Sequence, residues 1–350
     1  MSAWGKASLA GGAVGVAAAA ATVHVEAVRR LGASPYTVDG FGLLPVDRVS
    51  TVAADDGVPL KVEEVGSTKA SLTVVFVHGF CLNMGSWYFQ RRDLPEHTDA
   101  RLVFYDHRSH GRSGVSKAKR CMIDQLGRDL HAVLRAVAPT GPVVLVGHSM
   151  GGMAIMALAR QRPELFNTQV AAVAFIATAA NGMAPSRFGL SARNPVIGAL
   201  RWAGNLGPSL VQRGRPPVDV LLGPIVRAMS YGDKHTDKAV AQFSERMIAS
   251  TPIRTVLDFL PTLAAHDELA ALPALTGRPV LVLCGEADRM TPYRHTALIG
   301  ETLPEAELVP VPGAGHLLQL EQPDLVTDAL LGLLARANRP SRRRGLRARA

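Results

Sequence analysis

The chain has 350 residues, 47% of them hydrophobic and 19% charged, so it can bury a large core and is not intrinsically disordered. Its formal net charge is +9, but arginines between residues 339 and 350 supply six of these charges, and the rest of the chain is only mildly basic. With no zinc-ligand spacing, phosphate-binding glycine loop or interleaved basic and aromatic residues, nucleic acid is not an expected partner.

An uncharged stretch rich in alanine and glycine runs from Ala7 to Val23. Its length is short for a membrane span and slightly long for the apolar part of a signal peptide. We interpret it as a membrane anchor; the alternatives are a cleaved signal, which would make the protein secreted, and a helix packed on protein, which would leave it soluble in the cytoplasm. Arg29 and Arg30 outnumber Lys6 across the segment, so an anchored protein is expected to keep its main domain on the cytoplasmic side.

From residue 48 the sequence is rich in short β-branched runs. Val49–Ala53 and Leu60–Val65 flank the turn signal Asp55-Asp56-Gly57 and predict an antiparallel hairpin. Six further runs alternate with helical stretches, as buried parallel strands do. They are Leu72–Val77, Leu102–Tyr105, Val143–Val146, Val170–Ile176, Val280–Leu283 and Leu308–Val311. This alternation predicts an α/β fold with an eight-stranded, mostly parallel sheet and helices on both faces.

The strand rhythm stops between Ala180 and Ala265, where helix-like pieces such as Ala239–Ile248 and Pro252–Leu263 occur. A helical insertion at this point would cover the carboxyl ends of the strands, where α/β sheets bind ligands, so we interpret it as a lid. Its apolar residues line a pocket or close the lid's own core. They are Met183, Phe188, Leu190, Trp202, Leu206, Met229, Phe243, Met247 and Phe259.

The predicted organisation has five parts. They are an N-terminal apolar segment (residues 1–30), a first core section (31–182), the helical lid (183–263), a second core section (264–338) and a basic tail (339–350). The tail is expected either to be solvated or to lie against anionic lipid. Three cysteines, Cys81, Cys121 and Cys284, are odd in number and far apart, which argues against a disulfide framework.

Ser149 lies in Gly147-His148-Ser149-Met150-Gly151, directly after a predicted strand and directly before a helix-like run. A serine in a sharp strand-to-helix turn needs flanking glycines, because larger side chains would keep the strand and the helix apart. This context predicts a nucleophile elbow.

A serine nucleophile needs a base, and the base needs an orienting acid. His316, in a glycine-rich loop after the last strand, is the best candidate base, and Asp288, just after the penultimate strand, is the best candidate acid. Glu286, two residues earlier, is a rival acid. The loops after parallel strands meet at one edge of a sheet, so these side chains are expected to converge on Ser149.

Acyl transfer also needs backbone donors for the developing oxyanion. We expect the N–H of Met150, after the nucleophile, and the N–H of Phe80, in the turn His78-Gly79-Phe80. His78 is expected to brace that turn. His148 is expected to point away from the serine, so it is not assigned as the base. The loop Asp106–Ser113 is expected to be structural, held together by Asp106 and Arg108.

Together these motifs resemble the α/β-hydrolase superfamily, specifically its lidded esterase and lipase-like members, over residues of about 45 to 337. The resemblance implies a hydrolase without metal or organic cofactor, in which Ser149, His316 and Asp288 form the catalytic triad and Phe80 and Met150 form the oxyanion hole. The expected substrate is an ester of a small or medium-sized apolar acyl group, and a lipid-derived ester is one candidate. The alternatives are carbon–carbon hydrolase, haloperoxidase-like or aminopeptidase chemistry, or a non-catalytic binding protein on the same fold.

Overall fold

The computed structural model describes residues 40–41, 44–181, 229–232 and 236–338. Within these ranges, eight strands form one sheet at the centre of the fold. They are β1 (Arg48–Ala53), β2 (Pro59–Val65), β3 (Thr73–Val77), β4 (Arg101–Tyr105), β5 (Val143–His148), β6 (Val170–Ile176), β7 (Val280–Gly285) and β8 (Glu307–Val311). Their order in the sheet is β1-β2-β4-β3-β5-β6-β7-β8. β2 pairs antiparallel with β1 and with β4, and the remaining pairs are parallel. All eight predicted strands are confirmed, with ends that differ by at most two residues.

Helices connect the strands. In the described ranges the α-helices are α1 (Tyr88–Asp93), α2 (Ile123–Val137), α3 (Met150–Gln161), α4 (Pro163–Thr168), α5 (Lys238–Ser250), α6 (Ile253–Ala264), α7 (Arg294–Thr302), α8 (Leu318–Glu321) and α9 (Pro323–Ala337). Short 3₁₀ helices span Met84–Trp87, Leu94–Glu96, Ala118–Arg120 and Leu269–Leu275. The predicted helices Ala239–Ile248 and Pro252–Leu263 correspond to α5 and α6.

The core has two layers, one on each face of the sheet. Alternate residues of a strand point to opposite faces, so Val75 packs with α2 and α3 whereas Phe76 packs with α9. Both side chains are fully buried, as expected for a central strand covered on both sides. The predicted sheet with helices on both faces is confirmed.

Several predicted segments lie outside the described residues: the apolar segment (1–30), the basic tail (339–350), and residues 183–228 and 233–235 of the predicted lid (183–263). Within the described ranges, no helix is both long enough and apolar enough to cross a membrane.

Candidate active site

Three side chains from separate loops meet at the carboxyl ends of β5, β7 and β8. The His316 Nδ1–H donates to Asp288 Oδ2 at 2.9 Å, which leaves His316 Nε2 to accept from the Ser149 hydroxyl, also at 2.9 Å. All three residues are buried, with Ser149 the most exposed at 8%. The structure thus brings together the predicted nucleophile, base and acid.

The backbone at Ser149 has the sharp turn that a nucleophile elbow requires. Its φ is 51° and its ψ is −118°, a region that a residue with a Cβ rarely adopts. A Cβ at Gly151 would lie 2.1 Å from the Val77 carbonyl oxygen, and one at Gly147 would lie 2.7 Å from the Gly152 nitrogen. The glycines therefore allow α3 to approach β3 and β5 closely enough to hold the strained serine.

Two contacts with the end of β6 fix the elbow in place. The Ser149 N–H donates to the Ile176 carbonyl at 2.9 Å. The Thr178 hydroxyl donates to the Ser149 carbonyl at 2.7 Å. Sequence analysis did not identify Thr178, because nothing in the pattern around it shows that it reaches the elbow.

Asp288 is held as a carboxylate by donors on both of its oxygens. Oδ1 accepts from the backbone N–H groups of Met290 (2.7 Å) and Thr291 (2.8 Å), and Oδ2 accepts from the Thr291 hydroxyl at 2.7 Å. Burial by itself raises the pKa of Asp288, but the charge and hydrogen bond of His316 and the Thr291 donors keep this pKa below its ordinary value. The rival acid Glu286 is exposed, whereas Asp288 is buried against His316.

Sequence analysis did not identify Thr291 as a partner of the triad, although its spacing from Asp288 is a recognisable signal. Its hydroxyl lies 3.3 Å from His316 Nδ1 in addition to its bond to Asp288. A threonine three residues after an aspartate is a common partner in a local turn. The structure shows that here the pair supports the imidazole.

The predicted oxyanion turn lies against the nucleophile. A Cβ at Gly79 would come within 3.2 Å of Ser149 Cβ. In the described part of the chain, the Phe80 and Met150 N–H groups donate to no protein acceptor. Met150 also begins α3, where the helix dipole favours negative charge. Both N–H groups are thus available to a negatively charged oxygen.

Two histidines hold this turn through hydrogen bonds. The His78 Nδ1–H donates to the Gly79 carbonyl at 2.8 Å, and His78 Nε2 accepts from the His107 N–H at 2.9 Å. His110 Nε2 accepts from the Cys81 N–H at 3.3 Å, where the Cys81 φ is 58°. The structural role predicted for His78 is confirmed, whereas the support from His110 was missed.

The loop Asp106–Ser113 has the structural role predicted for it. The Asp106 carboxylate accepts from the backbone N–H groups of Met84 and Arg112, both at 2.8 Å. The Arg108 guanidinium is fully buried and bonds to the carboxylates of Asp129 and Asp56. The two side chains fix the loop that carries His110.

The serine hydroxyl bonds to His316, and the His148 side chain points elsewhere, as the sequence analysis predicted. Its Nε2–H donates to the His316 carbonyl at 2.9 Å, and its ring centroid lies 4.9 Å from that of His316. Burial, together with the nearby His316, lowers the pKa of His148 to about 3. His148 is therefore a neutral neighbour of His316 at neutral pH.

Four buried histidines near the site should make folding stability sensitive to acid. Burial lowers the pKa of His78 to about 4, that of His110 and His148 to about 3, and that of His107 well below its ordinary value. An unfolded histidine has a pKa of about 6.5, so between about pH 6.5 and pH 4 the unfolded chain binds more protons than the folded chain. Stability is therefore expected to fall as the pH drops through this window.

We expect the free energy of unfolding, measured by urea denaturation, to drop by at least about 3 kcal/mol between about pH 7 and pH 5. The variant His110→Gln should reduce that pH dependence, whereas a change at the partly exposed His131 should alter it less. A free energy of unfolding that stays flat over this range contradicts the neutral, buried state of these histidines.

The helices α5 and α6 pack over this edge of the sheet. Phe259 is fully buried, with its ring centroid 6.3 Å from that of Phe80 and 5.4 Å from that of His110. Phe243 stacks on Phe41 at 4.4 Å. Of the apolar lid residues named above, Met183, Phe188, Leu190, Trp202 and Leu206 lie outside the described residues.

The comparisons with known proteins agree with this geometry. A family model described as alpha/beta hydrolase fold matches residues 73–323. The chain is 27% identical over 274 residues to an sn-1-specific diacylglycerol lipase of Mus musculus, ABHD11, covering 75% of this chain and 80% of that protein. It is 25% identical over 219 residues to a monoacylglycerol lipase of Mycolicibacterium smegmatis, covering 60% of this chain and 74% of that protein. The structure of a thermophilic esterase from Thermogutta terrifontis is similar, with a TM-score of 0.66, 25% identity, and coverage of 83% of this chain and 100% of that one.

Proposed function

Because this chain belongs to the α/β-hydrolase fold family, we propose that it is a serine hydrolase that cleaves carboxylic esters of apolar acyl groups through an acyl-enzyme. The observation that carries the proposal is the hydrogen-bonded series from Ser149 through His316 to Asp288, with both distances at 2.9 Å. Such a series activates a hydroxyl that is otherwise a weak nucleophile.

In the first half of the reaction, Ser149 Oγ attacks the ester carbonyl carbon while its proton passes to His316 Nε2. The buried Asp288 carboxylate stabilises the imidazolium that forms. The carbonyl oxygen becomes an oxyanion and accepts from the Phe80 and Met150 N–H groups. When the carbon–oxygen bond to the alcohol breaks, His316 returns the proton to the departing alcohol.

In the second half, water replaces the alcohol. His316 Nε2 takes a proton from the water, whose oxygen attacks the acyl carbon of the acyl-enzyme. The bond between the acyl carbon and Ser149 Oγ then breaks, and the proton passes to Oγ, so that a carboxylic acid leaves and the serine is restored. The net reaction consumes one ester and one water.

An apolar acyl group is supported by the residues around the serine. Phe80 lies in the turn next to Ser149, and its ring packs against that of Phe259, with 6.3 Å between the centroids. Similar proteins include a diacylglycerol lipase, a monoacylglycerol lipase and an esterase. These relatives support an ester, lipid-derived in one version of the proposal.

The test is labelling with a rhodamine-tagged fluorophosphonate followed by an ester panel. We expect the probe to modify Ser149, because an activated serine displaces fluoride from phosphorus, and peptide mapping locates the label. The variant Ser67→Ala, at an exposed serine, should label like the wild type.

With p-nitrophenyl esters of increasing chain length, we expect hydrolysis at rates well above those for the matching peptide p-nitroanilides. A folded protein that leaves the probe unreacted contradicts the proposed function. A preference for the anilides points instead to aminopeptidase chemistry.

A further inference from the structure

The Glu321 side chain, at the end of α8, bonds to the loop that carries His316. The Gly315 N–H donates to both Glu321 oxygens, at 3.0 Å each, and the Gly232 N–H donates to Oε2 at 2.9 Å. Both oxygens act as acceptors, which suits an ionised carboxylate. One carboxylate thus joins the residue before His316 to a segment that precedes α5.

The same two segments pack backbone against backbone. The Ser230 carbonyl accepts from the N–H groups of His316 (2.9 Å) and Leu317 (3.1 Å). A Cβ at Gly315 would lie 2.4 Å from the Gly232 nitrogen, so no larger residue fits there. This contact therefore holds the backbone on both sides of His316. Glu321 bonds to both of the segments that form it.

In the part of the chain that the structure describes, few charged or titratable groups face His316. Asp288 bonds to its Nδ1, and His148 is neutral because burial lowers its pKa to about 3. In the segment that contacts the His316 backbone, the Tyr231 hydroxyl is bonded to the Ser244 hydroxyl. Among the described residues, the Glu321 carboxylate also interacts electrostatically with His316; burial raises the pKa of Glu321, and the Gly232 and Gly315 N–H groups and His316 act against that rise.

Resting on the ester hydrolysis proposed above, we propose that Glu321 is a positioning residue for His316. Its carboxylate fixes the backbone of the base through Gly315 and Gly232. Its negative charge stabilises the imidazolium that forms when the Ser149 proton is transferred. The role differs from that of Asp288, because Glu321 touches neither the imidazole nitrogens nor the serine in the bonds that the structure shows.

Two variants separate the charge from the geometry. Glu321→Gln keeps the side-chain length but removes the charge, and Glu321→Asp keeps the charge but shortens the reach. Glu305→Gln is the matched control, since Glu305 is exposed. For each variant, kcat and KM for p-nitrophenyl butyrate are measured across the pH range in which circular dichroism shows native structure.

We expect Glu321→Gln to lower kcat about tenfold with little change in KM, and to shift the acid-side midpoint of kcat/KM to lower pH by about half a unit or more. The sign follows because a nearby negative charge favours the protonated form of an imidazole, and its removal disfavours that form. Glu321→Asp should also lower kcat but return the midpoint towards the wild-type value, and Glu305→Gln should match the wild type throughout.

A folded Glu321→Gln variant with wild-type kcat and an unchanged midpoint overturns the proposal. A purely structural role of Glu321 predicts that activity falls only in proportion to the loss of folded protein, with an unchanged midpoint. That result also overturns the proposal. Fluorophosphonate labelling distinguishes the two proposals. Wild-type protein that is unreactive at Ser149 contradicts ester hydrolysis itself, whereas reactive wild-type protein makes the Glu321 result decisive.

Discussion

Replacing Ser149 by alanine should lower ester hydrolysis by about 10⁴-fold or more without unfolding the protein. The expected loss is large because, in the proposed mechanism, the hydroxyl oxygen of Ser149 forms the acyl-enzyme. The side chain is small and only 8% exposed. Alanine should therefore leave intact the bonds that the Ser149 backbone makes with Ile176 and Thr178. Initial rates with p-nitrophenyl butyrate and a thermal unfolding curve measure the two effects separately.

The other two members of the triad should behave alike. His316→Ala removes the base, and Asp288→Asn removes the charge that orients it, so each should also cost on the order of 10⁴-fold. Because the three act as one unit, a double variant should be hardly worse than a single one. Near wild-type turnover by a folded Ser149→Ala variant rules out the assigned nucleophile.

Replacing Arg108 by methionine should destabilise the fold by about 3–5 kcal/mol, the largest stability effect that we expect from one substitution. The guanidinium is fully buried and bonds to Asp129 through Nε and Nη2, at 2.6 Å each. It also bonds to Asp56 at 2.9 and 3.1 Å and to the Ser116 hydroxyl at 2.9 Å. Its loss leaves the fully buried Asp129 carboxylate without its opposite charge.

The free energy of unfolding in urea measures this effect. Arg254→Met is the matched control, because the Arg254 side chain is 69% exposed and lies 3.7 Å from Asp258, and such surface pairs contribute less than about 1 kcal/mol. In the double variant Arg108→Met with Asp129→Asn, part of the loss should be recovered. Equal, small losses at Arg108 and Arg254 contradict the interpretation of Arg108 as the charge that neutralises the buried Asp129 carboxylate.

Local patterns in the sequence determined the strands and the elbow. Short β-branched runs bounded by turn residues favour buried strands, and their alternation with helical stretches favours a largely parallel sheet. Ser149 between glycines, after such a strand, defines the turn by steric limits alone. Because loops after parallel strands meet at one sheet edge, the positions of Asp288 and His316 in the chain were enough to predict that they meet Ser149.

Only the tertiary structure decided which side chains support the triad. Thr178 and His110 each bond to a loop from a distant part of the chain, and His148 bonds to the carbonyl of His316. Glu321 bonds to the distant Gly232 as well as to the nearby Gly315. No local pattern requires these contacts, since each depends on where two loops come to lie after the strands have taken their order in the sheet. The sequence determined the reacting groups through local steric and polar constraints, whereas their precise support depended on the packing of loops that are remote in the chain.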